Sequence, residues 1–187
     1  GGWLAAAGLR GVGAEDRILW HRVFWWGHAA LAFGFLGAIP FTLIRHILAA
    51  AANVALSRME PSGEIRPVAL EEAEHFGVSS IAGFSRKDLL DLIACTECGR
   101  CQDACPAWAT GKPLSPKGLI LDLRDRALAE TNGRADARPL VGEVVQEETL
   151  WSCTTCGGCH QACTVLIAPI PKIVDMRRCL VMEEARF

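Results

Sequence analysis

Eight of the nine cysteines fall into two copies of one run, Cys95-x-x-Cys98-x-x-Cys101-x-x-x-Cys105-Pro106 and Cys153-x-x-Cys156-x-x-Cys159-x-x-x-Cys163. No other feature constrains the fold as much, because this is the ligand spacing of paired cubane iron–sulfur clusters. A cubane needs four thiolates converging from different directions. A tight CxxCxxC loop supplies three, and the fourth cysteine of each run serves the other cluster. One [4Fe–4S] cluster is therefore assigned to Cys95, Cys98, Cys101 and Cys163, and the second to Cys153, Cys156, Cys159 and Cys105. The crossing staples the two runs together.

The competing interpretation is a pair of structural zinc sites. Zinc prefers two separated CxxC pairs, and a third cysteine three residues on has no clear place in such a site. Nor do the cysteines form a disulfide framework, since they lie in two compact runs rather than spread through a small secreted domain. Gly99, Gly157 and Gly158 would let backbone N–H groups approach a cluster, although simple tight turns explain them equally. Thr164 stands where the first run has Pro106, which alters the turn and leaves the ligands in place. Cys179 lies outside both runs and is expected to be a buried structural thiol. His160 is expected to face solvent.

Composition is uneven along the 187 residues, and the net charge of −2 conceals this. From Val23 to Ile44 there is no Asp, Glu, Lys or Arg, a stretch of about 22 residues, long enough to cross a bilayer. A helix capped by Asp16, spanning the membrane over about 20–50 and kinked at Pro40, is the expectation. Trp20, Trp25 and Trp26 suit a headgroup interface. His28 and His46 lie 18 residues apart, five helical turns, so on one continuous helix both leave the same face about 27 Å apart. Two intramembrane histidines at opposite depths suit axial ligation of two b-type haems, with second ligands on helices outside this sequence. An interfacial snorkelling role for His46 and a competing ligand role for His21 stay open. Small residues such as Gly27, Gly34 and Gly37 permit close approach of a porphyrin or a neighbouring helix.

Arginines flank both ends of the apolar stretch and leave its topology undecided; thiol chemistry places the cysteine-rich part on the cytoplasmic side of the plasma (inner) membrane. Basic residues are not clustered, so nucleic acid is not an expected partner. No nucleotide-binding glycine fingerprint, catalytic triad pattern or phosphate loop is present. The expected fold is mainly α. A linker covers 59–84, opening with the Pro- and Gly-containing Met59 to Arg66, and a dicluster domain covers 85–187. Within these, short helices are expected over Val68 to His75, after a Ser85 cap, after Ser115-Pro116, over Glu143 to Trp151 and from Pro171 to the chain end.

The stretches WWGHAALAFGFLGAIPFTLIRHI, IACTECGRCQDACPAWATGKPLSPKGLI and LWSCTTCGGCHQACTVLIAPIPKIVDMRR resemble the membrane-bound iron–sulfur oxidoreductases related to heterodisulfide reductase, including the bacterial electron-transfer-flavoprotein:quinone type. The resemblance implies that 1–58 is the C-terminal part of a haem b membrane domain, with His28 and His46 matching its ligand positions. It also implies CCG domains downstream of the dicluster module. The expected function is electron transfer between a soluble donor, an electron-transfer flavoprotein or flavin dehydrogenase, and the quinone pool, through two [4Fe–4S] clusters and haem b. Alternatives are a membrane-tethered dicluster ferredoxin subunit without haem, and a zinc-binding interaction module.

Overall fold

The apolar stretch does not form one helix. In the computed structural model, which describes residues 13–42, 45–57, 65, 67–68, 71, 75–134 and 139–186, helix α1 runs Ala14–Ala38, a single 3-10 turn covers Ile39–Phe41, and α2 runs Arg45–Ala55. Pro40 has no N–H to continue the helical ladder, and Thr42 is extended at φ −109°, ψ 174°. The break falls at the kink expected from sequence but interrupts the helix outright. Glu15, Asp16, Arg17 and Arg22 occupy the start of α1, so only Val23–Ala38 is uninterruptedly uncharged. Among the described residues no helix is long and apolar enough to cross a membrane, which corrects the single span expected over about 20–50. Asp16 is also not the cap: Gly13 precedes the helix, and Glu15 and Asp16 lie in its first turn, where their charge complements the helix dipole.

The chain divides into two units, Gly1–Arg45 and His46–Phe187. In the first, α1 is apolar on all sides and buries none of its residues; Phe24, Leu31 and Phe33 are each at least 70% exposed. Trp20 stacks on Phe24, and Trp25 meets Trp26 edge to face.

The second unit is a set of short helices around one core. Ser85 caps α3 (Arg86–Ala94) in a capping box with Asp88, and Cys95 is its C-terminal cap residue. The two four-residue helices α4 (Arg100–Asp103) and α5 (Pro106–Ala109) follow the first cysteine run's loop. Ser115 accepts from Gly118 N–H and Pro116 opens α6 (Pro116–Thr131), as capping chemistry predicts. Its Leu119, Ile120 and Leu123 form the middle of the core with Leu92, Leu140, Leu150, Ile173, Met176 and Leu180. Each such buried aliphatic contributes about 1.5–3 kcal/mol.

Where the sequence predicts a helix over Glu143 to Trp151, a wide turn (Leu140–Val144) precedes a shorter α7 (Glu147–Trp151). Gly142 at φ 99° breaks the helical path between them. Then come α8 (Gly158–Gln161) and α9 (Pro169–Met182), which starts two residues before Pro171 and stops short of the chain end. The only β feature among the described residues is a bridge between Val141 and Val145.

Part of the expected linker belongs to the core. Val78, Ile81 and Phe84 are buried, and Val78 N–H donates to Asp175 O at 3.0 Å. Gly77 allows this docking: at φ +110°, a Cβ there would lie 2.3 Å from Asp175 O. The helix expected over Val68 to His75 and the linker start Met59 to Arg66 fall largely outside the described residues.

Candidate metal centre

Both cysteine runs adopt the same local backbone. Glu97 and Thr155, each one residue before the second cysteine, are left-handed at φ 58° and 54°. Gly99 and Gly157, each one residue after it, are left-handed at φ 86° and 82° and start α4 and α8. Non-glycine residues in this conformation are uncommon and concentrate at functional loops. Here they turn backbone N–H groups toward sulfur: Thr155 N–H donates to Cys153 Sγ at 3.4 Å, and Glu97 N–H faces Cys95 in the same way.

The runs separate after their fourth cysteines. Cys105 is the N-cap of α5, which Pro106 opens. Cys163 begins an irregular segment in which Leu166 is left-handed at φ 56° and Ile167 N–H donates to Cys163 Sγ at 3.3 Å.

Helices α4 and α8 pack together, and two clefts result. Cys95, Cys98, Cys101 and Cys163 line one of ≈ 430 Å³, together with Thr96, Glu97, Lys117 and Ile120. Cys105, Cys153, Cys156 and Cys159 line the other of ≈ 320 Å³, together with Leu114, Ile170 and Ile173. Each cleft thus takes three cysteines from one run and the last from the other, and Cys159 borders both.

The thiols feel one another across the runs. Burial first, then the neighbouring Cys95 and Cys163, pushes Cys101 up to about 11. Burial, then Cys153, pushes Cys159 up to about 12. Cys95 and Cys153 are also raised, chiefly by burial, with Arg124 and Arg177 respectively opposing. Cys98 is lowered, chiefly by the N–H of Arg100. Thiols buried together and held protonated near neutral pH are costly neighbours unless a cation binds them.

Among the described residues, no three His, Cys, Asp or Glu side chains converge as a single metal ion would require. The thiols surround a space rather than meeting at a point, and this fits a cubane, whose four irons each take one thiolate, better than a lone zinc ion.

Three cationic side chains border these sites that the sequence did not single out. Lys117 lines the first cleft. Arg124 pairs with Glu97 at 2.7 Å and steadies the left-handed loop, a half-exposed bridge contributing about 0–1 kcal/mol. Arg177 donates to the carbonyls of Leu150 and Cys153 and lies 5.0 Å from the Trp151 ring centroid. Lys117 follows a helix-opening proline and could have been inferred. Arg124 and Arg177 carry no local signal, because their partners are distant in sequence. His160 is partly buried in α8, and Cys179 is buried at 3% exposure.

His28 is exposed on α1, and His46 is partly buried on α2. The two are not on one helix, so the shared-face relation does not hold.

Residues 94–167 match the family model described as the 4Fe-4S dicluster domain. The chain carries this domain and is related to the heterodisulfide-reductase type of iron–sulfur oxidoreductase. Its relatives include the EtfAB:quinone oxidoreductase of Syntrophomonas wolfei, 38% identical over 97% of this chain and 29% of that protein. A probable membrane-anchored ferredoxin of Chromohalobacter salexigens is 34% identical over 98% of this chain and 30% of that protein. An iron–sulfur relative from Methanosarcina acetivorans, one component of the ferredoxin/F(420)H(2)-dependent CoB-CoM heterodisulfide reductase, is 33% identical over 50% of this chain and 49% of that protein. The chain spans less than a third of the length of the first two. No solved structure matches.

Proposed function

We propose that this chain is the electron-transfer portion of a membrane-bound iron–sulfur oxidoreductase, passing electrons between a soluble flavoprotein donor and the quinone pool. The observation that carries this is the crossed grouping of eight thiols around two adjacent clefts. Cys95, Cys98, Cys101 and Cys163 would hold one [4Fe–4S] cluster; Cys153, Cys156, Cys159 and Cys105 would hold the other. Such clusters, when bound, supply one-electron chemistry. The polypeptide supplies the rest: N–H groups at Thr155 and Ile167 that stabilise charge on sulfur, the apolar wall of Leu114, Ile170 and Ile173, and the cations Lys117, Arg124 and Arg177.

In this proposal α1, apolar on every side, sits in the plasma (inner) membrane among further helices of the same protein, with the dicluster domain on the cytoplasmic face. His28 and His46 would ligate haem b. Their support is the family resemblance, since the helix joining them is broken. An electron-transfer flavoprotein or flavin dehydrogenase is the proposed donor, in keeping with the name of the Syntrophomonas relative.

Anaerobically purified protein should contain about eight iron atoms per chain, with matching acid-labile sulfide and visible absorption bleached by dithionite. Stoichiometric zinc without sulfide would sink the proposal.

A second interpretation, a haem-free ferredoxin tethered to a membrane complex, draws on the Chromohalobacter relative and on the lack of a membrane-long apolar helix among the described residues. Dithionite-reduced membranes bearing the full-length protein separate the two. The oxidoreductase gives b-type haem bands that weaken in His28→Ala with both clusters retained; the ferredoxin gives none.

A further inference from the structure

Lys172 is fully buried, with Nζ 2.6 Å from Asp91 Oδ2, 3.1 Å from Asp88 Oδ1 and 3.2 Å from the Ala168 carbonyl. Asp91 also accepts from Lys87 Nζ at 2.6 Å, and Lys87 donates to Asn53 Oδ1 at 2.8 Å. Asn53, likewise fully buried, donates through Nδ2 to the Val165 carbonyl at 2.8 Å. The lattice joins α2, α3 and α9.

Stability alone does not account for it. Removing two lysines and two aspartates from water costs several kcal/mol per ion, and apolar residues of similar volume commonly serve as well or better. What the lattice grips is informative. It holds the segment after Cys163 at three backbone atoms: Val165 O, Ala168 O, and Ala168 N–H, which donates to Asp91 Oδ2 at 3.3 Å. Its other arm, α3, ends at Cys95. So it connects the two cysteines of the first cleft that come from different runs. Cys105 needs no such support, because α5 begins at Pro106 directly behind it. Behind Cys163 stands Thr164, and no helix starts until Pro169.

We propose that the Asn53–Lys87–Asp91–Lys172 lattice is a positioning device for the crossing ligand Cys163. It takes the part that Pro106 and α5 play for Cys105, and it makes the first cluster alone depend on helix α2. This rests on the cluster proposal above. Asn53 and Lys172 are positioning residues and touch no cluster.

The test is Asn53→Ala in the protein carrying both clusters, since this removes the Val165 anchor without stranding a buried charge. Lys87→Met serves in its place if that variant does not fold. Electron paramagnetic resonance and redox titration follow each cluster, and a chelator follows iron release; Cys98→Ser identifies the signal of the first cleft. We expect that signal to shift its midpoint potential and its iron to leave several-fold faster, with the second cluster as in wild type. Two clusters unchanged, two changed alike, or a change confined to the second would each overturn the inference while leaving the cluster proposal standing. A wild-type protein without iron and sulfide would overturn both.

Discussion

Lys172 and Asp91 meet at 2.6 Å with side chains 0% and 2% exposed, so one charge cannot be removed without stranding the other. Lys172→Met should destabilise the domain by about 3–5 kcal/mol, because Asp88 and Asp91 would lose the buried ammonium they share. Lys172→Met combined with Asp88→Asn should recover part of that loss. Urea titration of the two variants against wild type measures both.

Arg177 should matter to the second site in two separable ways. Arg177→Leu abandons the carbonyls of Leu150 and Cys153 and should cost about 1–3 kcal/mol, read from thermal unfolding. It also removes a cation beside Cys153, so the midpoint potential of the second cluster should fall while that of the first stays put. Arg177→Lys should preserve the potential better than the stability, since an ammonium keeps the charge and loses the two-carbonyl grip.

The crossed ligand sets predict which cysteine variants look alike. Cys105→Ser should abolish the same spectroscopic signal as Cys156→Ser, and Cys163→Ser the same one as Cys98→Ser. Uncrossed sets would pair Cys105 with Cys98 instead. Electron paramagnetic resonance of the reduced variants decides.

Cys179 should be inert to alkylation in the folded protein. Burial, followed by the nearby Glu183 and Glu184 carboxylates, pushes its thiol up to about 11 from 9.0. The folded state then binds this proton more tightly than the unfolded chain, so the associated stability is complete below pH 9 and fades as pH rises through about 11. Melting temperature should fall over that interval, and by less in Cys179→Ala. Iodoacetamide at pH 8 should label Cys179 only after denaturant is added.

Local signals are legible where one residue type has one physical use. Ser85 and Ser115-Pro116 open helices where capping chemistry says they should, and the apolar spacing of Leu119, Ile120 and Leu123 gives the buried face of α6. On α3 the same approach misleads. Apolar spacing makes Leu89, Leu90, Leu92 and Ile93 the packing face, yet Asp88, Asp91, Leu92 and Ala94 are the buried residues. Charged side chains are read as solvent-facing because they are almost never buried unpaired, and the partner that reverses this, Lys172, lies far along the chain. The broken helix at Pro40 has a similar origin. Hydropathy reports that a stretch is apolar, whereas continuity depends on backbone donors, which proline removes. The cysteine grouping is the most accessible feature, because metal chemistry restricts spacing far more tightly than packing does.

Since each cleft is finished by a sulfur from the opposite run, neither half of the domain is a usable piece. A ribosome that has released only Cys95 through Cys105 has made three corners of one box and a spare for another. Iron uptake must therefore wait until Cys163 has emerged and the two halves have closed on each other, which makes a filled site a report that the whole domain has folded.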